Sequence, residues 1–383
     1  MKIKYSDLLS KIPNGLFESV SLEYKLDRPN NKITGKSLFN ILLYNICEED
    51  EISLRIVEAS FRKHQFMLYK DGKKLKASKS GLSDRLKAVD YRYYETIFKK
   101  LSTVYSKEIK AEGGPQLKIF DSTLVTLSSN LLKCGFKTSK GNNQQVKFSI
   151  GFDGLPTHVR FGDTKSDMSE EFALKAAIKE VSFSKDDIVV FDRGISARKT
   201  FVEFKQIGIN FVTRLNDNAN YKIICSHNVT QKVIGDLEVL EDCIVHLKSK
   251  KFHRIEEDFR LIKTRNLKTG KDLMFITNMV GMTAEEVTEI YRTRWSIEIF
   301  FKFIKQYLNM KHFLSRDING IKVVFYMILI AALLILTFKK LNNIPSFKFP
   351  KWEFVEQLRR AITYDIIILY RDDPREFKDS FIF

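Results

Sequence analysis

The chain has 383 residues, of which 44% are hydrophobic and 29% charged, with a formal net charge of +17. These proportions exclude an intrinsically disordered chain and allow a large core in more than one domain. The 64 basic residues against 47 acidic ones favour a polyanionic partner, nucleic acid first and an anionic membrane surface second. Cys47, Cys134, Cys225 and Cys243 form no CxxC pair and no zinc site, which fits a reducing cytoplasm. The opening MKIKYSDLLSKIPNG lacks the apolar core of a signal peptide.

Residues 1–112 read as a helical N-terminal domain. GKSLFNILLYNIC, SLRIVEASFRKHQFML and GLSDRLKAVDYRYYETIFKKLSTVYSKEIK repeat apolar positions at three- and four-residue spacing, with Ser80 and Ser83 as candidate caps of the last. YKDGKKLKASKSG is a basic connector between helices. A basic helical module is either a DNA-binding domain of helix-turn-helix type or a plain helical cap, and both readings stay open. Gly113, Gly114 and Pro115 then punctuate the chain, and the strand LKIFD follows. VKFSIGFDGLPTHVRFGD predicts a hairpin turning at Asp153-Gly154. SEEFALKAAIKEV is a helix, DIVVFDRG a buried strand, SARKTFVEFKQIG a helix and INFVTRL a strand. The fold class is therefore α/β, with residues 113–215 as the first part of a core. NYKIIC, CIVHLKS, DFRLIKT and DLMFITN make 216–280 a β-rich insertion. Residues 281–345 return to the core, and 346–383, with WEFVEQLRRAITYDIIILY, form a helical C-terminal region. VVFYMILIAALLILTF, sixteen residues at 323–338, is shorter than the roughly 20 a membrane span needs. It reads as a buried core helix, with a membrane span as the alternative.

Chemistry enters with the acids. Asp121 ends or interrupts LKIFD, and Asp192 ends DIVVFD ahead of Arg193 and Gly194. Ligands gather at the carboxyl ends of strands in an open α/β sheet, and an acid there is poorly solvated unless a positive group meets it. A helix cap is the bland reading of Asp192, although Ser196 is better placed for that role. Asp153, Asp163, Asp167 and Glu170 fall in turns or at helix starts and read as structural. The helix IYRTRWSIEIFFKFIKQYL, 290–308, is built to be buried on most sides, with Ile299, Phe300, Phe303 and Ile304 on that surface. At about 100° per residue, Tyr291, Arg294, Glu298, Lys302 and Lys305 nevertheless share one narrow stripe. Glu298 has a bland reading as an i,i+4 partner of Arg294 and Lys302. With Asp121 and Asp192 it instead makes three carboxylates. Such a set suits two Mg²⁺ ions about 4 Å apart, the arrangement for in-line attack at phosphorus. Arg294, Lys302, Lys305, Tyr291 and Arg193 would then meet DNA phosphates.

Tyr291, Arg294, Glu298 and Lys305 have the spacing of the YREK signature. With Asp121 and the Asp192–Gly194 turn in the right order, the chain resembles the DDE transposases of insertion sequence family four over about 115–310. The resemblance implies an RNase H-like catalytic core interrupted by a β-rich insertion between Asp192 and Glu298. It also implies metal binding and catalysis by Asp121, Asp192 and Glu298, with Mg²⁺ replaceable by Mn²⁺. Its expected partners are double-stranded DNA, as terminal inverted repeats and as target, and a second copy of the chain on that DNA. The expected activity is cleavage at element ends and strand transfer in the bacterial cytoplasm, with no membrane. The alternatives are an RNase H-fold nuclease without strand transfer, a non-catalytic transposase-derived DNA-binding protein, and a basic membrane-associated protein. Some relatives flip a base onto an aromatic residue. Trp295 borders the apolar face and reads as core.

Overall fold

The computed structural model describes residues 3–28, 31–63, 77–109, 116–126, 136–137, 144–162, 164–229, 232–248, 256–311 and 313–369. Gly113 to Pro115, Cys134, Asp163 and most of the 69–81 connector lie outside them. The N-terminal helices are α1 (Tyr5–Leu9), α2 (Leu16–Glu23), α3 (Gly35–Glu48), α4 (Leu54–Lys63), α5 (Lys79–Ala88) and α6 (Tyr91–Ile109). Thr34 starts α3 by accepting from Ser37 N at 3.1 Å. The expected long 81–110 helix is two helices. Asp90 sits at the break and accepts from Arg92 N at 2.9 Å. The cap of α5 is Ser78, which accepts from Gly81 N at 3.2 Å; Ser80 and Ser83 fall inside the helix.

The strands follow: β1 (Leu117–Thr126), β2 (Phe136–Lys137), β3 (Gln144–Phe152) and β4 (Pro156–Phe161). Gly154, at φ 97°, supplies the left-handed turn between β3 and β4. Then come α7 (Glu170–Lys179), β5 (Ile188–Phe191), α8 (Arg198–Gln206) and β6 (Asn210–Arg214). The N-cap of α8 is Ala197, not Ser196, and its amide donates to Glu171 at 3.0 Å. The insertion supplies β7 (Tyr221–Ser226), β8 (Val233–Ile234), β9 (Leu237–Leu247), β10 (Asp258–Asn266) and β11 (Asp272–Thr277). The chain ends in α9 (Ala284–Thr293), α10 (Trp295–Tyr307), α11 (Ile318–Leu341) and α12 (Lys348–Leu369).

The chain divides into two compact units, residues 1–110, 125–146 and 301–383 in one, and 111–124 and 147–300 in the other. The first is helical and centres on α11, which packs against α6, α3, α12 and α5. Its 24 residues reach about 36 Å at 1.5 Å per residue, enough to cross a bilayer. The expectation from a sixteen-residue stretch was thus too short, since the helix extends to both flanks of the uncharged run. Burial decides its role instead. The apolar window is wholly buried, Tyr5 stacks on Phe338 at 4.0 Å, and the protein's own helices cover α11 on all sides.

The second unit is built on the sheet. Among the described residues, strands run in the order β3-β1-β5-β6-β11-β10-β9-β7, with β4 beside β3. β1, β5 and β6 are mutually parallel, and β3 and β4 antiparallel. The run β4-β3-β1-β5-β6 has the strand order of an RNase H-like core, as expected. The insertion continues the same sheet, because β11 pairs antiparallel with β6. Phe120, Val189, Phe191 and Phe211 face one side with Leu174, Ile178, Phe201 and Phe204 of α7 and α8. Ile188 and Val212 face the other with Val287 and Ile290 of α9. Side chains alternate along a strand, so this division fixes where the residues just past Phe120, Phe191 and Thr213 point.

Candidate active site

Phe120 is level with Phe191 in the parallel β1–β5 pair. Asp121 and Asp192 come one position later, so they stand side by side on the α9 side of the sheet. The strand β1 continues through Asp121 to Thr126, whereas β5 stops at Phe191 and Asp192 begins a turn. Its Oδ1 accepts from Gly194 N at 2.8 Å, and Asp121 Oδ1 accepts from Ser122 N at 2.7 Å. Ser122 Oγ in turn meets Ser149 Oγ at 2.7 Å, tying β1 to β3 beside the acid. Thr213 Oγ1 on β6 donates to Phe191 O at 2.8 Å, closing the end of β5 on its other flank.

One carboxylate oxygen from each of Asp121, Asp192 and Glu170 lies within 4.8 Å of the other two. Burial, and then the charge of Asp192, push the Asp121 carboxyl up to about 7. Two like charges this close resist joint ionisation. Arg294 works in the opposite direction on Asp121. Lys147 is buried, and its Nζ donates to Met168 O at 3.3 Å. Burial lowers its ammonium, against the attraction of Glu170, Asp121, Asp167 and Asp192.

The helix expected over 290–308 is broken at Arg294. Arg294 is the C-cap of α9, and the contacts Arg294 N to Tyr291 O at 3.1 Å and Ile297 N to Arg294 O at 3.2 Å are three-residue steps. The tightened turn changes the angular relation of Tyr291 to the rest of the stripe. Tyr291 packs on Phe275 at 5.1 Å beneath the Arg294 guanidinium, 5.5 Å from its ring centre. Burial raises the Tyr291 phenol, with Arg294 and Arg214 pulling against it. The Nε atoms of Arg214 and Arg294 are buried and meet no acceptor among the described residues. Arg294 Nη2 donates to Glu298 Oε1 at 2.5 Å.

Residues 112–334 match the family profile described as the transposase DDE domain. The chain belongs to the DDE transposases. Among its relatives is a protein named as transposase y4zB of Sinorhizobium fredii, 23% identical over 72% of this chain and 76% of that one. The transposase for insertion sequence element IS5377 of Geobacillus stearothermophilus is 26% identical over 54% of this chain and 52% of that protein. The one for element IS4SA of Synechocystis is 23% identical over 67% and 70%. These relatives agree with membership of insertion sequence family four. A cryo-EM structure of the piggyBac transposase synaptic complex with hairpin DNA superposes with a TM-score of 0.47 at 12% identity, over 97% of this chain and 81% of that one. The protein is thus a DNA transposase, a metal-dependent enzyme of the DDE type.

Within this transposase, Asp121 and Asp192 come together and Glu298 stands outside their trio, held by Arg294. Arg193 is exposed in the turn after Asp192. Lys302 is exposed on α10, and Lys305 lies over the Phe301 ring at 5.8 Å. On the expected apolar surface Phe300, Phe303 and Ile304 are buried, but Ile299 is 38% exposed. Trp295 is 60% exposed, contrary to a core reading. Asp153 and Asp167 are structural, one paired with Lys118 at 3.1 Å and the other with Arg160. Glu170, read as structural from its place at a helix start, instead faces the aspartates. Arg214 gave no signal in the sequence beyond its place at the end of a buried strand.

Proposed function

We propose that this transposase cuts at the ends of its insertion sequence and joins the freed 3′-hydroxyl to target DNA, with Asp121, Asp192 and Glu298 as its catalytic carboxylates. The observation that carries the reading is the β1–β5 register, which leaves Asp121 beside Asp192 at the carboxyl end of β5. The donor set fits a hard divalent cation. Carboxylate oxygens of Asp121 and Asp192 lie within 4.8 Å of each other and of one from Glu170, and the raised Asp121 carboxyl is an uncompensated cost that a cation removes. Mg²⁺ is the proposed ion, as a pair, with Mn²⁺ able to substitute. Bound there, it neutralises the scissile phosphate and makes the attacking oxygen a better nucleophile.

The chain's own residues do the rest. Asp121 and Asp192, fixed by the strands that carry them, would hold the ion against which the reacting phosphate docks. The orphaned Nε donors of Arg214 and Arg294 suit a neighbouring backbone phosphate, with the Tyr291 hydroxyl donating beside them. A phosphate taken up by Arg294 competes with Glu298 for the guanidinium and so releases that carboxylate. Attack by a water oxygen forms one P–O bond and breaks the bond to the 3′ oxygen. The released 3′-hydroxyl then attacks a second phosphorus, exchanging one phosphodiester for another. Lys302, Lys305 and Arg193 contribute to binding along the DNA backbone, and two copies of the chain pair two element ends. Such a protein works in the bacterial cytoplasm.

The test is incubation of purified protein with Mg²⁺, DNA carrying the flanking inverted repeats, and a target plasmid. End cleavage with joined product is expected. Cleavage without joining returns a nuclease, and binding with neither returns a non-catalytic DNA-binding protein.

A further inference from the structure

We propose that Glu170 is a metal-holding residue of the DNA-free transposase, completing with Asp121 and Asp192 a three-carboxylate site while Glu298 is still paired with Arg294. The proposal rests on the reading of Asp121 and Asp192 given above. Its first support is distance, since the Glu170 carboxylate shares the 4.8 Å cluster with both aspartates. Its second is the turn after β5. A Cβ added to Gly194 would lie 2.8 Å from both Cγ and Cδ of Glu170 and 2.9 Å from Asp192 Oδ1. Gly194 has no left-handed φ, so backbone torsion does not demand glycine there. The glutamate side chain occupies the space a Cβ would take.

The ordinary reason for an acid in the first turn of α7 is the helix dipole. That accounts for the residue type and not for its direction. Glu171, one residue on, serves the fold by accepting from Ala197 N at 3.0 Å. Glu170 is exposed, and an exposed glutamate gains most by turning to water. Here it approaches two other carboxylates, an arrangement that repels unless a cation completes it. Lys147 supplies part of that compensation. Buried beside the cluster, it is fixed by Met168 O at 3.3 Å and cannot act as a ligand, because an ammonium has no lone pair.

The test is Mn²⁺ binding without DNA, followed as free Mn²⁺ by electron paramagnetic resonance, with melting temperatures to establish that each variant is folded. Glu170→Gln is expected to weaken binding tenfold or more, and Asp192→Asn at least as much. Glu298→Gln is expected to stay within about twofold of the parent, because that carboxylate is engaged elsewhere. Wild-type binding by Glu170→Gln alongside weakened binding by Asp192→Asn overturns the proposal and leaves the aspartate site standing. Wild-type binding by both overturns the aspartate site as well. Weakening by Glu298→Gln equal to that by Glu170→Gln refutes the idea that Arg294 holds Glu298 out of the DNA-free site.

Discussion

Replacing Glu298 by Gln removes one negative charge and keeps the side chain's shape, so it separates a structural ion pair from a catalytic carboxylate. The pair with Arg294 spans 2.5 Å, with side chains 15% and 34% exposed. An i,i+4 pair of this kind is worth about 0.3–0.5 kcal/mol, and solvent screening at Glu298 keeps it near that range. The amide oxygen of Gln still accepts from Arg294, so about half a kcal/mol is the ceiling. In a chain this long, that shifts the melting temperature by less than about 1 °C. A metal-facing carboxylate is a different matter. Losing several kcal/mol of charge stabilisation slows the chemical step by about 100-fold or more. DNA affinity should be equal or slightly higher, because a negative charge near phosphates is gone. The assay pairs a thermal melt with Mg²⁺-dependent nicking of inverted-repeat DNA and with fluorescence anisotropy for affinity. A folded Glu298→Gln protein that nicks DNA at the wild-type rate would falsify the catalytic role and return this residue to a surface pair.

Lys305→Ala is expected to weaken DNA binding across sequences and to lower the slope of log affinity against log salt by about one, measured by anisotropy between 50 and 200 mM salt; an unchanged slope removes Lys305 from the interface. Trp295→Ala should leave the melting temperature in place, since the ring is 60% exposed, while costing about 1–3 kcal/mol of DNA affinity if a base stacks on it; a loss of 3 kcal/mol in stability instead makes it a core residue. Leu333→Ala in the wholly buried part of α11 should cost about 2–5 kcal/mol in urea unfolding, and the wild-type protein should remain in the soluble fraction; recovery only with membranes contradicts the core reading. Asp121 has a folded pKa of about 7, above the ordinary 3.8, so the metal-free native state binds the extra proton and loses stability as pH rises between those values. Asp121→Asn should therefore raise the melting temperature in EDTA at pH 8 and leave it nearly unchanged at pH 4; equal effects at both pH values refute the assigned cause.

Asp121 and Asp192 were readable because an acid directly after a buried apolar run is an energetic contradiction that a positive ligand resolves, although β1 runs on past Asp121 to Thr126 and only β5 stops before its acid. The YREK spacing was readable because it is local, and the β-rich character of 216–280 because strand runs declare themselves by alternation. Other features depend on geometry that spacing does not carry. The 290–308 segment has no Gly or Pro to mark a break, yet its hydrogen bonds tighten at Arg294, and Trp295 beside it is exposed. Ser78, Ser80 and Ser83 are equivalent in composition, and only the start of α5 chooses Ser78. A sixteen-residue uncharged run is a minimum for a helix, so its length could not exclude a membrane span, whereas the helices covering α11 do account for its burial. Glu170 is the instructive case. An exposed acid at a helix start has an adequate local explanation in the dipole, and nothing in its own neighbourhood points to Asp121. The link runs through Gly194. A glycine after Asp-Arg reads as an ordinary turn residue until a Cβ is placed on it and found to strike Glu170. The residues that build this site from separate elements are therefore recognised pairwise, through the space one leaves for another, and the Glu170 and Glu298 variants together test whether that space was left for a cation.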